Sequence, residues 1–306
     1  MRFLAILLFG FLIGASGSNT HHDTPHWGYS GDGSPEHWGD LADEFRTCKY
    51  GKNQSPIDIA QTTKSTLQKP IFDYKNSPKE LINNGHTLQV SFNPGSTLTF
   101  QEKKFELLQM HFHTPSEYTF DKKHYPMVAH LVHKASDGEL LVLAIMFDKG
   151  GENPVIKEIW ADAPTKVGES RKLANLALSD LVKNLQNYIK LVGSLTTPPC
   201  SEGVIWLINR GNAFASDEQI KFFTNIIGQN NRPIRATNHP RNFTDIVTAT
   251  ATAVSKTHAT IADPKSSPHI PPPKIATTKT TTPNQIPPHI AAVSPTTTTP
   301  IRTKSH

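Results

Sequence analysis

Lys104-Phe105-Glu106-Leu107-Leu108-Gln109-Met110-His111-Phe112-His113-Thr114, followed beyond a turn by Pro126-Met127-Val128-Ala129-His130-Leu131-Val132-His133-Lys134, decides the reading of this chain. In an extended strand, successive side chains alternate between faces, so residues two apart point the same way. The first segment then sets Phe105, Leu107, Gln109, His111 and His113 on one face, with Phe112 opposed. The second sets Val128, His130 and Val132 on one face and Ala129, Leu131 and His133 on the other. Asp121 to Tyr125 reads as a turn, so an antiparallel hairpin brings His130 back beside His111 and His113. Adjacent strands lie about 4.8 Å apart, which leaves ligands about 2.0–2.1 Å from one ion within reach. Three neutral imidazoles are a ligand set for catalytic zinc, with the fourth position left to water. Were residues 126–134 helical, His130 and His133 would share a face instead. The β-branched residues and Pro126 favour the strand.

Working outward, Thr87–Phe92 and Thr97–Phe100 read as strands flanking the turn signal Asn93-Pro94-Gly95-Ser96. Leu140–Phe147 is a continuous apolar run, as for a central strand covered on both sides, and Val204–Asn209 is another. Helical pattern is scarcer: Asn153–Trp160, and Leu173–Leu185 with Leu176, Leu178, Leu181, Val182 and Leu185 as an approximate stripe. Strands dominate, so the expectation is a sheet-centred α+β or mainly β domain.

Composition sets the limits of that domain. The chain has 306 residues, 36% hydrophobic, with 24 prolines. Both figures trace to the ends. Residues 1–17 read as a secretory signal: Arg2, an apolar run from Phe3 to Ile13, then Ala15-Ser16-Gly17 as a small-residue cleavage site. That run is short for a bilayer span, so the expectation is an exported, periplasmic or secreted protein with no transmembrane span once mature. Residues 250–306 are rich in Thr and Pro and contain no Leu, Phe, Tyr, Trp or Cys. Such a segment cannot bury a core and reads as a disordered tail. It holds six Lys or Arg against one Asp, a net charge equal to the +5 of the whole chain. The folded domain, residues 18–249, is therefore near neutral, and the sequence pI of about 9.1 is no argument for nucleic-acid binding. The tail is a solvated spacer, or could contact an anionic surface or carry O-linked sugars; a homodimer is open. The two cysteines, Cys48 and Cys200, favour one disulfide in an exported protein, with two buried thiols as the alternative.

The body resembles the α-class carbonic anhydrases. The resemblance runs through Trp27-Gly28-Tyr29, Pro35-Glu36-His37-Trp38, Asn53-Gln54-Ser55-Pro56-Ile57 and Asn83-Asn84-Gly85-His86. It continues through His111-Phe112-His113-Thr114-Pro115-Ser116-Glu117, His130-Leu131-Val132-His133 and Gly193-Ser194-Leu195-Thr196-Thr197-Pro198-Pro199, in family order. The Thr-Pro-Ser-Glu form and the export signal are similar to bacterial, periplasmic members. The resemblance implies a large twisted, mostly antiparallel sheet with short helices on its surface. It implies zinc-dependent reversible hydration of carbon dioxide to bicarbonate and a proton, and side activity on activated esters.

It also implies roles residue by residue. His111, His113 and His130 bind Zn²⁺, with Gln109 behind His111. Thr196 takes a hydrogen bond from the attacking oxygen and passes its own proton to Glu117. Thr197 contacts bicarbonate, and Val132, Val142, Leu195 and Trp206 form an apolar pocket for CO₂. His86 is the proton shuttle, Tyr29 and Asn84 order the water chain, and Gln89 lies in the cavity wall. Cys48–Cys200 resembles the disulfide of secreted members, and Ser55-Pro56 and Pro198-Pro199 are the family's cis-proline positions.

One departure carries weight. Most of the family has a Glu two residues before the third histidine, supporting its distal ring nitrogen; here that position is Val128. Losing such a partner costs about 10–100-fold in metal affinity or activity, so Val128→Glu is expected to tighten zinc binding. Tyr118 stands where many relatives have His or Asn, a milder change. Two other classes of protein compete with this reading. His-x-His-x₃-Glu also matches the first metal motif of cupins, with Glu117 as a ligand, but the following glycine-proline motif and its His are missing. The other is a carbonic-anhydrase-like binding protein acting in surface attachment. Retention of all three histidines with Glu117 and Thr196 speaks against it.

Overall fold

The computed structural model describes residues 25–60, 62–65, 68–211, 213–236 and 244–246. The expected signal segment 1–17 and tail 250–306 lie outside the described residues. The strands are β1 (Asp58–Ile59), β2 (Thr63–Ser65), β3 (Ile71–Asp73), β4 (Pro78–Asn83), β5 (Leu88–Phe92), β6 (Thr97–Phe100), β7 (Lys103–His113) and β8 (Thr119–Phe120). They continue with β9 (Lys123–His124), β10 (Met127–Ala135), β11 (Leu140–Lys149), β12 (Ser170–Lys172), β13 (Tyr188–Ser194), β14 (Glu202–Asn209), β15 (Phe214–Ala215) and β16 (Thr244–Ile246). The helices are α1 (Trp38–Leu41), α2 (Thr47–Tyr50), α3 (Pro154–Trp160), α4 (Leu178–Val182) and α5 (Asp217–Ile227).

Among the described residues, thirteen strands form one mixed sheet along the path β12-β4-β5-β7-β10-β11-β14-β13-β16-β2, with β3, β6 and β15 attached. Most pairings are antiparallel; β11 runs parallel to β14 and to β15, and β16 runs parallel to β2. β10 lies between β7 and β11, with His130 directly opposite His111 on one side and Ala144 on the other. The expected hairpin is therefore present. β11, the continuous apolar run, is covered on both faces. Leu141, Leu143, Ile145 and Phe147 enter one cluster with α3 and α5, while Val142, Ala144 and Met146 enter another with Trp206 and Ile189.

Three expectations need correction. Phe105 and Leu107 do not share a face with His111. The β7–β10 register shifts where Val132 faces Gln109 but His133 faces Leu107. Leu108 is the extra residue of a β-bulge, which reverses the alternation below it. Phe105 and Leu107 consequently join Met110 and Phe112 in the large core, while Gln109, His111 and His113 keep the other face. Residues 121–125 are more than a turn: Asp121 and Lys122, both at positive φ, close a hairpin of β8 and β9. The Leu173–Leu185 stripe is buried, but only Leu178–Val182 is helical. A tight turn in which Leu178 N–H donates to Leu176 O at 2.7 Å interrupts it.

The longest described helix, α5, was not anticipated. Its start carries a capping box, with the Ser216 hydroxyl accepting from Gln219 N–H and the Gln219 side chain from Ser216 N–H.

The disulfide pairs Cys48 in α2 with Cys200, at a sequence separation of 152. Closing a loop of that length stabilises by about 5 kcal/mol in the chain-entropy model. Cys48→Ser with Cys200→Ser should lower the denaturant midpoint correspondingly, and an unchanged midpoint would contradict this.

His133, on the opposite face of β10 from His130, is fully buried. Its Nδ1–H donates to Leu141 O at 3.3 Å and its Nε2 accepts from the Tyr74 hydroxyl at 2.8 Å. Burial pushes this imidazole down to about 4. Unfolded, it titrates near 6.5. Its contribution is therefore fully present above pH 6.5 and is lost as pH falls from there to about 4, roughly 3 kcal/mol in all. Urea melts at pH 7.5 and 4.5 should show less pH dependence in His133→Gln than in the parent; equal dependence would refute the assignment.

Candidate active site

β7 and β10 supply the centre of the site. His111, His113 and His130 each offer a nitrogen within 4.8 Å of the others. His113 and His130 are buried and His111 is half-buried. Burial, and then the neighbouring histidines, hold His111 and His130 well below the usual imidazole range. Both are therefore neutral, the form that binds metal. His111 Nδ1 pairs with Gln109 Oε1 at 2.8 Å, and His113 Nδ1 donates to Asn230 O at 2.7 Å. These contacts fix the rings and turn each Nε2 toward the shared centre. His113 Nε2 is buried without a hydrogen-bond partner, as is Glu117 Oε2. Three convergent imidazole nitrogens with unsatisfied buried atoms beside them fit a divalent zinc ion.

Glu117 is fully buried. Its Oε1 accepts from Arg232 N–H at 3.1 Å. Its Oε2 lies 3.7 Å from His113 Nε2 and 3.8 Å from His130 Nδ1, too far for hydrogen bonds. The Thr196 hydroxyl is not bonded to Oε2, which is left as an open acceptor.

Thr196 and Thr197 sit on a loop anchored at both ends. Ser55 N–H donates to Ser194 Oγ at 2.9 Å, Trp206 Nε1–H to Ser194 O at 3.1 Å, and Leu195 N–H to Ser201 O at 2.9 Å. A Cβ on Gly193 would lie 2.2 Å from Ser55 Oγ, so a larger residue there would displace the hydroxyl that accepts from Ser194 N–H. Ser55-Pro56 and Pro198-Pro199 are cis, as is Thr114-Pro115.

The apolar wall lies across three adjacent strands. Val132 faces Val142, and Val142 faces Trp206. With Leu195 they belong to one hydrophobic cluster, and the Trp206 ring meets His130 edge-on at 4.9 Å.

The outer residues behave less simply. His86 lies flat on Trp27, ring centroids 3.7 Å apart at 5°. Burial, then His26, push it down to about 4. Asn84 is spent on its turn, its Oδ1 accepting from His86 and Thr87 N–H at 3.0 Å each. Gln89 lies opposite His111 on β5. Burial and the Glu117 carboxylate push the Tyr29 phenol well up.

Two residues were not singled out in the sequence. Asn230 orders His113 through its carbonyl, and its side chain donates to His86 O at 3.0 Å and Phe112 O at 2.9 Å. Arg232, fully buried, donates to Gln54 Oε1, Ser55 O and Cys48 O at 2.7–2.9 Å. It thereby ties the disulfide segment to the Glu117 side of the cavity.

A large sheet carrying three convergent imidazoles beside an apolar wall presents a possible metal site of the three-histidine type. Residues 33–248 match the model of the eukaryotic-type carbonic anhydrases. The carbonic anhydrase of Pectobacterium carotovorum is 42% identical over 218 residues, 71% of this chain and 89% of that one. The α-carbonic anhydrase of Thermovibrio ammonificans, solved with the inhibitor sulfanilamide, superposes with a TM-score of 0.70 at 42% identity, covering 72% of this chain and 99% of that one. Dioscorin, solved in complex with ascorbate, gives 0.69 at 26% identity, covering 74% and 100%. The chain belongs to the α-carbonic anhydrase family of enzymes.

Proposed function

We propose that this chain hydrates carbon dioxide reversibly to bicarbonate and a proton, with zinc held by His111, His113 and His130. The observation that carries the reading is the convergence of three imidazoles beside an apolar wall. Zinc, when bound, supplies a Lewis acid that lowers the pKa of ligated water to about 7. Carbon dioxide has no net dipole, so Val132, Val142, Leu195 and Trp206 suit it as a pocket. In the working enzyme the Thr196 hydroxyl would turn to donate to Glu117 Oε2, which is free to accept, and so orient the attacking oxygen, while Thr197 receives the bicarbonate.

His86 then carries the proton outward. Stacked on Trp27 at a pKa of about 4, it is a poor acceptor at neutral pH. Swinging off Trp27 into water would return it toward 6.5. His86→Ala should cut turnover about 10²-fold in weak buffer and recover in imidazole buffer; loss without recovery would refute the shuttle role. Residues 1–17 as an export signal, and a periplasmic or secreted location, complete the proposal. The Cys48–Cys200 disulfide is consistent with it, and no described helix is long and apolar enough to cross a membrane.

Stopped-flow hydration before and after chelation, with zinc added back, tests the proposal. Activity that is lost and restored supports it. A rate indifferent to zinc would favour a binding protein on the same fold.

A further inference from the structure

The three imidazoles are not supported equally. His111 and His113 each have their distal nitrogen engaged, by Gln109 Oε1 at 2.8 Å and Asn230 O at 2.7 Å. His130 Nδ1 lies 3.8 Å from Glu117 Oε2, the oxygen that His113 Nε2 approaches to 3.7 Å. Nδ1 is therefore the atom His130 turns to the shared centre. Its other nitrogen, Nε2, is buried with no hydrogen-bond partner.

The surroundings explain why. Gln109 stands two residues before His111 on the same strand face and reaches back to its ring. Val128 stands in the same relation to His130, is fully buried, and offers no acceptor. Val128, Tyr118, Ala144 and Trp206 belong to one apolar cluster on this face. The Trp206 ring meets His130 at 4.9 Å and Tyr118 at 5.0 Å, edge-on in both cases. The Tyr118 hydroxyl donates to Ser55 Oγ at 2.7 Å.

A ligating histidine normally donates its second ring N–H to an acceptor, which fixes the ring and raises its basicity. We propose that His130 is the ligand that limits metal retention in this protein. Packing against Trp206 holds its ring where a hydrogen bond would otherwise do so, and the metal leaves by way of His130. The inference rests on the zinc reading above.

The test uses the full chain loaded with zinc, its release followed into excess chromophoric chelator at fixed pH. Val128→Gln, which copies the Gln109–His111 arrangement, and Val128→Glu should each slow release by about 10–100-fold. Equal release rates in folded variants would overturn the inference while leaving the zinc reading intact. A parent chain that binds no zinc overturns both.

A polar residue at a buried position can unfold the chain, so the parent supplies an independent readout. In the zinc-loaded, ¹⁵N-labelled protein, the Nδ1–H protons of His111 and His113 should resonate downfield as hydrogen-bonded protons. The Nε2–H of His130 should lie upfield of both. A His130 ring proton as far downfield as the other two would contradict the proposal, whatever the variants do.

Discussion

His113→Ala should leave a folded chain that no longer holds zinc and hydrates carbon dioxide at least about 10³-fold more slowly. The magnitude follows from the chemistry: a Lewis-acid metal contributes several kcal/mol to the barrier, and each 1.36 kcal/mol is tenfold in rate. Folding survives because Asn230, the partner of His113, keeps its other bonds. Thr114 N–H donates to Asn230 Oδ1 at 2.9 Å and Asn230 Nδ2 to Phe112 O at 2.9 Å. Zinc content and hydration rate, measured together on the same preparation, check this. One equivalent of zinc with a near-parental rate would remove His113 from the site.

Thr196→Ala should keep zinc yet lose about 10²–10³-fold in kcat/KM, the range for removing one oriented hydrogen-bonding group from a transition state. Thr196 and Glu117 are both buried, and Glu117 Oε2 is free to accept. Without the hydroxyl, nothing couples the attacking oxygen to that carboxylate. Thr196→Ser retains the hydroxyl and should lose far less. Equal losses in the two variants would mean that the residue acts through loop packing, and zinc loss in Thr196→Ala would mean that it supports the metal.

The histidine-bearing hairpin was legible because its signal is local. Alternation and a turn are enough to bring His130 opposite His111. The bulge at Leu108 was not legible, since a Leu-Leu pair carries no mark of which leucine goes unpaired, and the face assigned to Phe105 and Leu107 reversed with it. α5 was within reach: Ser216 and Gln219 form a capping-box pattern ahead of Ile220 and Phe223. Asn230 and Arg232 were not. Asn-Asn-Arg-Pro reads as loop, and their partners at His113, Glu117 and Cys48 are more than a hundred residues away. The roles proposed for His86, Glu117 and Thr196 rest on the family resemblance, because a lone His, Glu or Thr in a loop has no pattern of its own. Val128 was visible as a departure, while the bare nitrogen it leaves on His130 needed the structure.

X-ray absorption at the zinc edge of the loaded protein shows whether His111, His113 and His130 hold the metal. Three nitrogen ligands and one water oxygen are expected, with metal–nitrogen distances of about 2.0–2.1 Å. Scattering that requires a carboxylate, or fewer than three imidazoles, would contradict it.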